Sequence, residues 1–127
     1  MIQKGTYLNV IDNSGVKQIC CIHVSGGYRK RYAKLGELIV ASVKSIRFKE
    51  NMKVKKGSVV KALIVRSKIM GSLKKGVSSS VKYFENGAVL LSNNNKLIGT
   101  RIFGGIRKEF RYTKFSKIIA LSSGYIK

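Results

Sequence analysis

The chain has 127 residues, 44% of them hydrophobic, which is enough for one core and predicts a single domain over residues 1–127. Lys and Arg number 26 against 5 acids, a net charge of +21, where solubility asks for no more than ~8 on a small domain. Self-repulsion of that size calls for a polyanion, and nucleic acid fits because phosphate contacts release condensed counterions; with no stretch near ~20 apolar residues, a helical membrane span is excluded.

Met1-Ile2-Gln3-Lys4-Gly5 leads straight into strand-like sequence, with neither a signal core nor an Arg-rich presequence, so no targeting leader is expected. Residues 6–11 have strand composition, and Asp12-Asn13-Ser14-Gly15 is a turn signal. Residues 16–24 form the partner strand. Within it Cys20 and Cys21 are adjacent, and strand neighbours point to opposite faces, so neither a disulfide nor a shared metal site is expected. His23, the sole histidine, lacks partners for zinc. Gly26-Gly27 opens a loop over residues 28–34, closed by Gly36. Residues 37–47 read as a third strand with Ile39, Ala41, Val43 and Ser45 on one face. A basic loop, residues 49–57, leads to a fourth, mostly buried strand over 58–66.

Residues 68–80 alternate weakly, hold two glycines and are polar, which predicts a projecting β-ribbon. A fifth strand region, residues 81–91, is broken at Glu85-Asn86-Gly87. After Gly104-Gly105 the spacing of Ile106, Phe110, Thr113, Phe115, Ile118, Ile119 and Ser122 becomes helical, predicting one or two short helices over about 106–122. The expected fold is mainly β: a small closed five-stranded barrel with a projecting ribbon and a short helical C-terminal region. A two-sheet sandwich usually needs more strands.

The charge falls in three clusters. Residues 28–34 carry four cations and no acid, interleaved with Tyr28 and Tyr32. Lys49, Lys53, Lys55 and Lys56 occupy the second loop, offset by Glu50. Six cations and one acid, Glu109, lie between Arg101 and Lys117. Loops on a rigid barrel can bring cations to phosphates at little ordering cost. The tyrosines can stack on bases, at ~1–3 kcal/mol each, or anchor their loop; Tyr32 is read as an anchor and Tyr28 stays open.

The five acids, Asp12, Glu37, Glu50, Glu85 and Glu109, form no spaced acid/base pair. Ser14 lacks a nucleophile-elbow context, and Gly26-Gly27 is not followed by a phosphate-loop Gly-Lys-Ser/Thr. No enzyme, no metal and no cofactor is expected.

These segments resemble the universal ribosomal L-fourteen family over essentially the whole chain. The similarity is carried by Met1-Ile2-Gln3, Leu8-Asn9-Val10, Asp12-Asn13-Ser14-Gly15, Gly26-Gly27, Arg31-Tyr32-Ala33, Lys53-Val54-Lys55-Lys56-Gly57 and Lys61-Ala62-Leu63-Ile64-Val65-Arg66. Most specific is Ile98-Gly99-Thr100-Arg101-Ile102-Phe103-Gly104, followed by Glu109, Arg111 and Phe115. The resemblance implies a large-subunit protein that binds rRNA, bridges to small-subunit rRNA and touches neighbouring proteins, notably number nineteen. It also implies a surface for the ribosome silencing factor, which blocks subunit joining, at Thr100, Arg101 and Lys117. With the basic clusters, it nominates Arg29, Lys30, Arg31, Lys34, Lys53, Lys55, Lys56, Arg66, Lys68, Arg107 and Arg111 as rRNA contacts.

The chain departs from the family pattern in places. The Asp-Gly turn before the fifth strand is missing, the ribbon is lengthened, and the lysine loop carries an insertion around residues 48–52. Gly105 and Ser122-Ser123-Gly124 stand where prolines are common. The chain has no proline, and 19 Lys outnumber 7 Arg, which points to an AT-rich genome. Together with the absent presequence, this predicts an organelle-encoded mitochondrial ribosomal protein, with an AT-rich bacterium as the alternative. Two other functions compete: a free barrel that binds single strands, as OB-folds do, and an adaptor for silencing or assembly factors.

Overall fold

A computed structural model of the chain describes residues 2–47, 53–69 and 82–126. Strands β1 (Tyr7–Val10), β2 (Val16–Val24), β3 (Leu38–Ile46), β4 (Val59–Arg66) and β5 (Gly87–Leu91) close into a barrel in that order. Consecutive strands pair antiparallel. The seam is parallel, with Asn9 opposite Gly87 and Val10 opposite Ala88. Closure leaves none of the five strands with a free edge. The expected mainly β barrel is therefore the observed one.

Plain alternation does not describe β2. Its buried residues are Val16, Ile19, Cys21 and Val24, spaced by three, two and three. Breaks in the β2–β3 register leave Lys17 and Ile22 as extra residues, and each extra residue turns the side chains that follow to the other face. On β3, Ile39, Ala41 and Val43 point inward as expected, but a break after Val43 leaves Ser45 only half-buried. Cys21 is buried and Cys20 partly exposed, both as free thiols. Among the described residues no grouping of three or more His, Cys, Asp or Glu offers a metal site.

From Ala62 to Arg66, and throughout β5, every residue is buried, so both faces of these strands are covered. β6 (Ile102–Arg107) packs against β4, and Ile106, Phe110 and Ile118 join the same apolar core. A 3₁₀ turn (Lys108–Tyr112), helix α1 (Lys117–Leu121) and strand β7 (Ser122–Ile126) follow, and β7 returns parallel to β6.

Two expectations for this half are sharpened. The fifth strand begins at Gly87, at the expected break, and residues 82–86 are not strand; the chain crosses the seam at Gly87 in close quarters. A Cβ at Gly87 would lie 3.2 Å from both Arg66 Cβ and Ile11 Cγ2. The one or two short helices expected over about 106–122 are the 3₁₀ turn and α1, with Ile106 and Ser122 outside them on strands. Ile106 is the last inward apolar residue of a strand and Phe110 lies in the following turn, so a spacing of four imitates a helix. Thr113 interrupts the two with extended backbone (φ −103°, ψ 172°), and Ser122 opens β7. The projecting ribbon expected over residues 68–80 lies mostly, and the loop insertion around 48–52 wholly, outside the described residues.

Candidate nucleic-acid interface

The first basic loop is tied to the barrel by an isolated bridge in which Ile2 and Ala33 exchange backbone hydrogen bonds of 2.9 and 2.6 Å. Ala33 and Leu35 are the buried anchors; Tyr32 keeps 46% of its surface exposed and Tyr28 keeps 89%. Arg29 stands over the Tyr28 ring, 5.3 Å from its centre. Its φ of 53° lies in the left-handed region, the kind of local cost that surrounding contacts must offset. Lys30 pairs with Glu37 at 2.8 Å, and the other Glu37 oxygen accepts the Lys34 amide at 2.7 Å. Arg31 and the Lys34 side chain project into solvent.

In the second loop Val54 is buried and pins the turn, while Lys53, Lys55 and Lys56 are exposed around it. Lys49 lies outside the described residues. Lys68 is exposed, and its amide donates to Asn86 Oδ1 at 3.0 Å.

The Asp12-Asn13-Ser14-Gly15 turn and the Gly99-Thr100-Arg101 motif are one structural unit. Asn13 Oδ1 accepts the amides of Thr100 (2.8 Å) and Arg101 (3.1 Å), and Asn13 Nδ2 donates to Thr100 Oγ1 at 2.8 Å. The Asn13 amide donates to the Arg101 carbonyl at 3.2 Å. Buried Asp12 accepts the Ser14 amide at 3.1 Å and the Leu90 amide at 3.1 Å, locking the turn to β5. Gly99 is needed because a Cβ there would meet Asn13 Oδ1 and Asp12 Cβ, each at 2.9 Å. Thr100 and Arg101 are thus presented outward on a fixed backbone. Asn13→Ala is expected to cost about 1–2 kcal/mol and to accelerate hydrogen exchange at the Thr100 and Arg101 amides. Unchanged protection at those two amides would refute the clasp.

Thr100 and Lys117 line one groove of about 520 Å³, with Leu97, Phe115 and Leu121 as its apolar part and Lys96 and Lys114 alongside. Arg101 is exposed on the adjoining backbone, and Arg111 is exposed on the 3₁₀ turn. The family resemblance groups Thr100 with Lys117 and does not point to Lys96 or Lys114. Their only sequence signal is charge, since it takes the fold to bring the residue 93–95 loop beside α1.

Two nominated contacts face inward. Arg107 is 1% exposed, and its Nε and Nη2 donate to Glu109 Oε2 and Oε1 at 2.7 and 2.5 Å. That two-pronged hydrogen bond holds the Glu109 carboxyl below its ordinary range against the opposing effect of burial, and raises the Arg107 guanidinium. Arg66 is 9% exposed and joins Glu85 at 2.9 Å, the Gly105 carbonyl at 3.1 Å and the Phe103 carbonyl. A side chain at Gly104 (φ 79°) would collide with this guanidinium. Both arginines are occupied by partners within the protein, and neither is exposed as Arg31 is.

Compared with known families, the chain matches the family model described as Ribosomal protein L14p/L23e over residues 1–126.

Proposed function

The chain belongs to this ribosomal family and is therefore a structural, non-enzymatic constituent of the large ribosomal subunit that binds rRNA, and from that premise we propose how its surface is used. The basic loops contact large-subunit rRNA through Arg29, Lys30, Arg31, Lys34, Lys53, Lys55, Lys56 and Lys68, with Arg111 contributing from the 3₁₀ turn. The observation that carries this reading is the presentation of Lys53, Lys55 and Lys56. All three are exposed around a buried Val54, without an ion pair to any acid among the described residues. The groove beside Thr100, Arg101 and Lys117 faces the subunit interface, where it approaches small-subunit rRNA and receives the silencing factor. A neighbouring large-subunit protein, number nineteen, completes the surroundings. The lysine-rich, proline-free composition supports a mitochondrial ribosome as the location.

Sedimentation tests the assignment: the protein is expected in large subunits and monosomes, and a purely soluble distribution would support the free single-strand binder instead. Affinity for an rRNA fragment should fall steeply with salt. Replacing Lys53, Lys55 and Lys56 together by Ala should reduce the slope of log K against log salt by about two to three, as ~0.7–0.9 per lost phosphate contact requires. An unchanged slope would remove that loop from the interface. For the factor surface, Arg101→Ala should weaken binding of the silencing factor while leaving incorporation intact. Lost incorporation would assign Arg101 to RNA.

A further inference from the structure

A second groove, of about 460 Å³, opens between β1, the start of β2 and the end of β3. Lys17, Gln18, Arg47, Glu85 and Phe103 line it. An adjoining hollow of about 240 Å³ shares Arg47 and Phe103. Neither shares a lining residue with the Thr100–Lys117 groove, and neither Lys17 nor Arg47 belongs to the three basic clusters.

Its parts are held rigidly. Phe103 keeps 52% of its surface exposed, although its backbone is fixed at both ends: its amide donates to the Ile11 carbonyl at 2.8 Å, and its carbonyl accepts from Arg66. The backbone that carries this half-exposed ring is thus anchored on both sides. Lys17 projects from a break in the β2–β3 register, and the Arg47 amide donates to the Gly15 carbonyl at 2.7 Å. Both side chains are exposed, and neither forms an ion pair with an acid among the described residues. Glu85 accepts from Arg66 through one oxygen and from Asn9 Nδ2 at 3.0 Å through the other, with its side chain 39% exposed. A carboxylate offers about four acceptor positions, so capacity remains for a ligand.

An exposed aromatic ring on an anchored backbone, two cations without an acid partner among the described residues and a carboxylate held by two donors match an unstacked nucleotide. The ring takes the base, the cations take the flanking phosphates, and the carboxylate takes an amino group on the base edge. The volume lies within the ~300–1,000 Å³ of ordinary ligand clefts. An uncharged peptide would use the ring but leave both cations without a counter-charge, whereas a nucleotide brings a phosphate on either side of its base. We infer that this groove captures a single extruded rRNA nucleotide on Phe103, between Arg47 and Lys17, and that Glu85 makes it prefer amino-bearing C, A or G over U. The inference rests on the rRNA-binding reading and adds a base-selective site to it.

The test uses the full chain and RNA hairpins, either fully paired or carrying one bulged nucleotide, with fluorescence anisotropy at fixed salt. Hairpins with a bulged C, A or G should bind more tightly than the bulged-U and fully paired ones. Phe103→Ala should weaken amino-base bulge binding about 5- to 150-fold, the range for loss of one stacked base, and leave the paired hairpin unaffected. Phe103→Tyr should restore the preference. Equal binding of bulged and paired hairpins by the natural chain would overturn the groove assignment while leaving the rRNA-binding reading intact. So would an unchanged bulge affinity in Phe103→Ala, which would leave the groove to a protein segment. If the natural chain binds neither hairpin and stays out of large subunits, the rRNA reading fails first and the inference with it.

Discussion

Glu109→Gln is expected to destabilise the protein by about 3–5 kcal/mol at neutral pH, the range for breaking a buried ion pair from one side. The substitution keeps size and shape but removes the charge opposite Arg107, a guanidinium 1% exposed to solvent. It also replaces one of the two carboxylate acceptors at 2.7 and 2.5 Å with an amide NH₂ facing a donor. The pH dependence has a definite sign. Because the Arg107 hydrogen bonds depress the folded Glu109 pKa below its ordinary 4.5, the natural chain has the pair's full contribution above that value. It loses the contribution as pH falls toward and through the lower folded value. The Gln variant lacks this acid sensitivity, so the gap between the two stability curves should narrow steadily as pH falls below 4.5. Urea unfolding at a series of pH values measures it, and a constant gap across the acid range would overturn the assignment.

Arg66→Lys is the second large effect, at about 2–4 kcal/mol, because a lysine retains the charge but not the fork. Arg66 joins Glu85, the Phe103 carbonyl and the Gly105 carbonyl at once, and so ties β4 to β6 across the end of the barrel. A single ammonium cannot reach all three acceptors in that arrangement, and the unmet carbonyls are only partly exposed. If Arg66 were instead a phosphate contact, lysine would be a mild replacement and stability would hardly change. Chemical denaturation together with the salt slope for rRNA separates the two: the structural role predicts lost stability with an unchanged slope. Since the Phe103 carbonyl is one of the three acceptors, Arg66→Lys should also loosen the ring in the nucleotide groove.

These two arginines show where reading the chain by charge fails. Arg107 sits in a basic stretch and Arg66 closes an apolar strand two residues before Lys68, and by residue type both look like Arg31 or Arg111. Their acids are Glu85, 19 positions away and placed by the β4–β5 pairing, and Glu109, whose approach depends on the 3₁₀ turn that follows β6. The same limit applies to β2, where register breaks at Lys17 and Ile22 replace alternation, and to Ile106 and Phe110, whose spacing imitates a helix across a strand-to-turn junction. By contrast, the turn Asp12-Asn13-Ser14-Gly15 and the motif Gly99-Thr100-Arg101 were legible separately. Their joining through Asn13 was not, because it links residues 87 apart.

By itself, the sequence determined the broad nature of the molecule: a small β barrel, strongly cationic, without catalytic groups, and a ribosomal family written into motifs along the whole chain. Those are properties of composition and local order, set by residue type, turn chemistry and the two-residue period of strands. Only the tertiary structure decided which cations face outward, which are held by carboxylates inside, and that Phe103, Arg47, Lys17 and Glu85 share one groove. The reason is physical. A side chain's burial and partners depend on strand register and barrel closure, and a single added residue in a strand reverses the facing of everything after it until the next one.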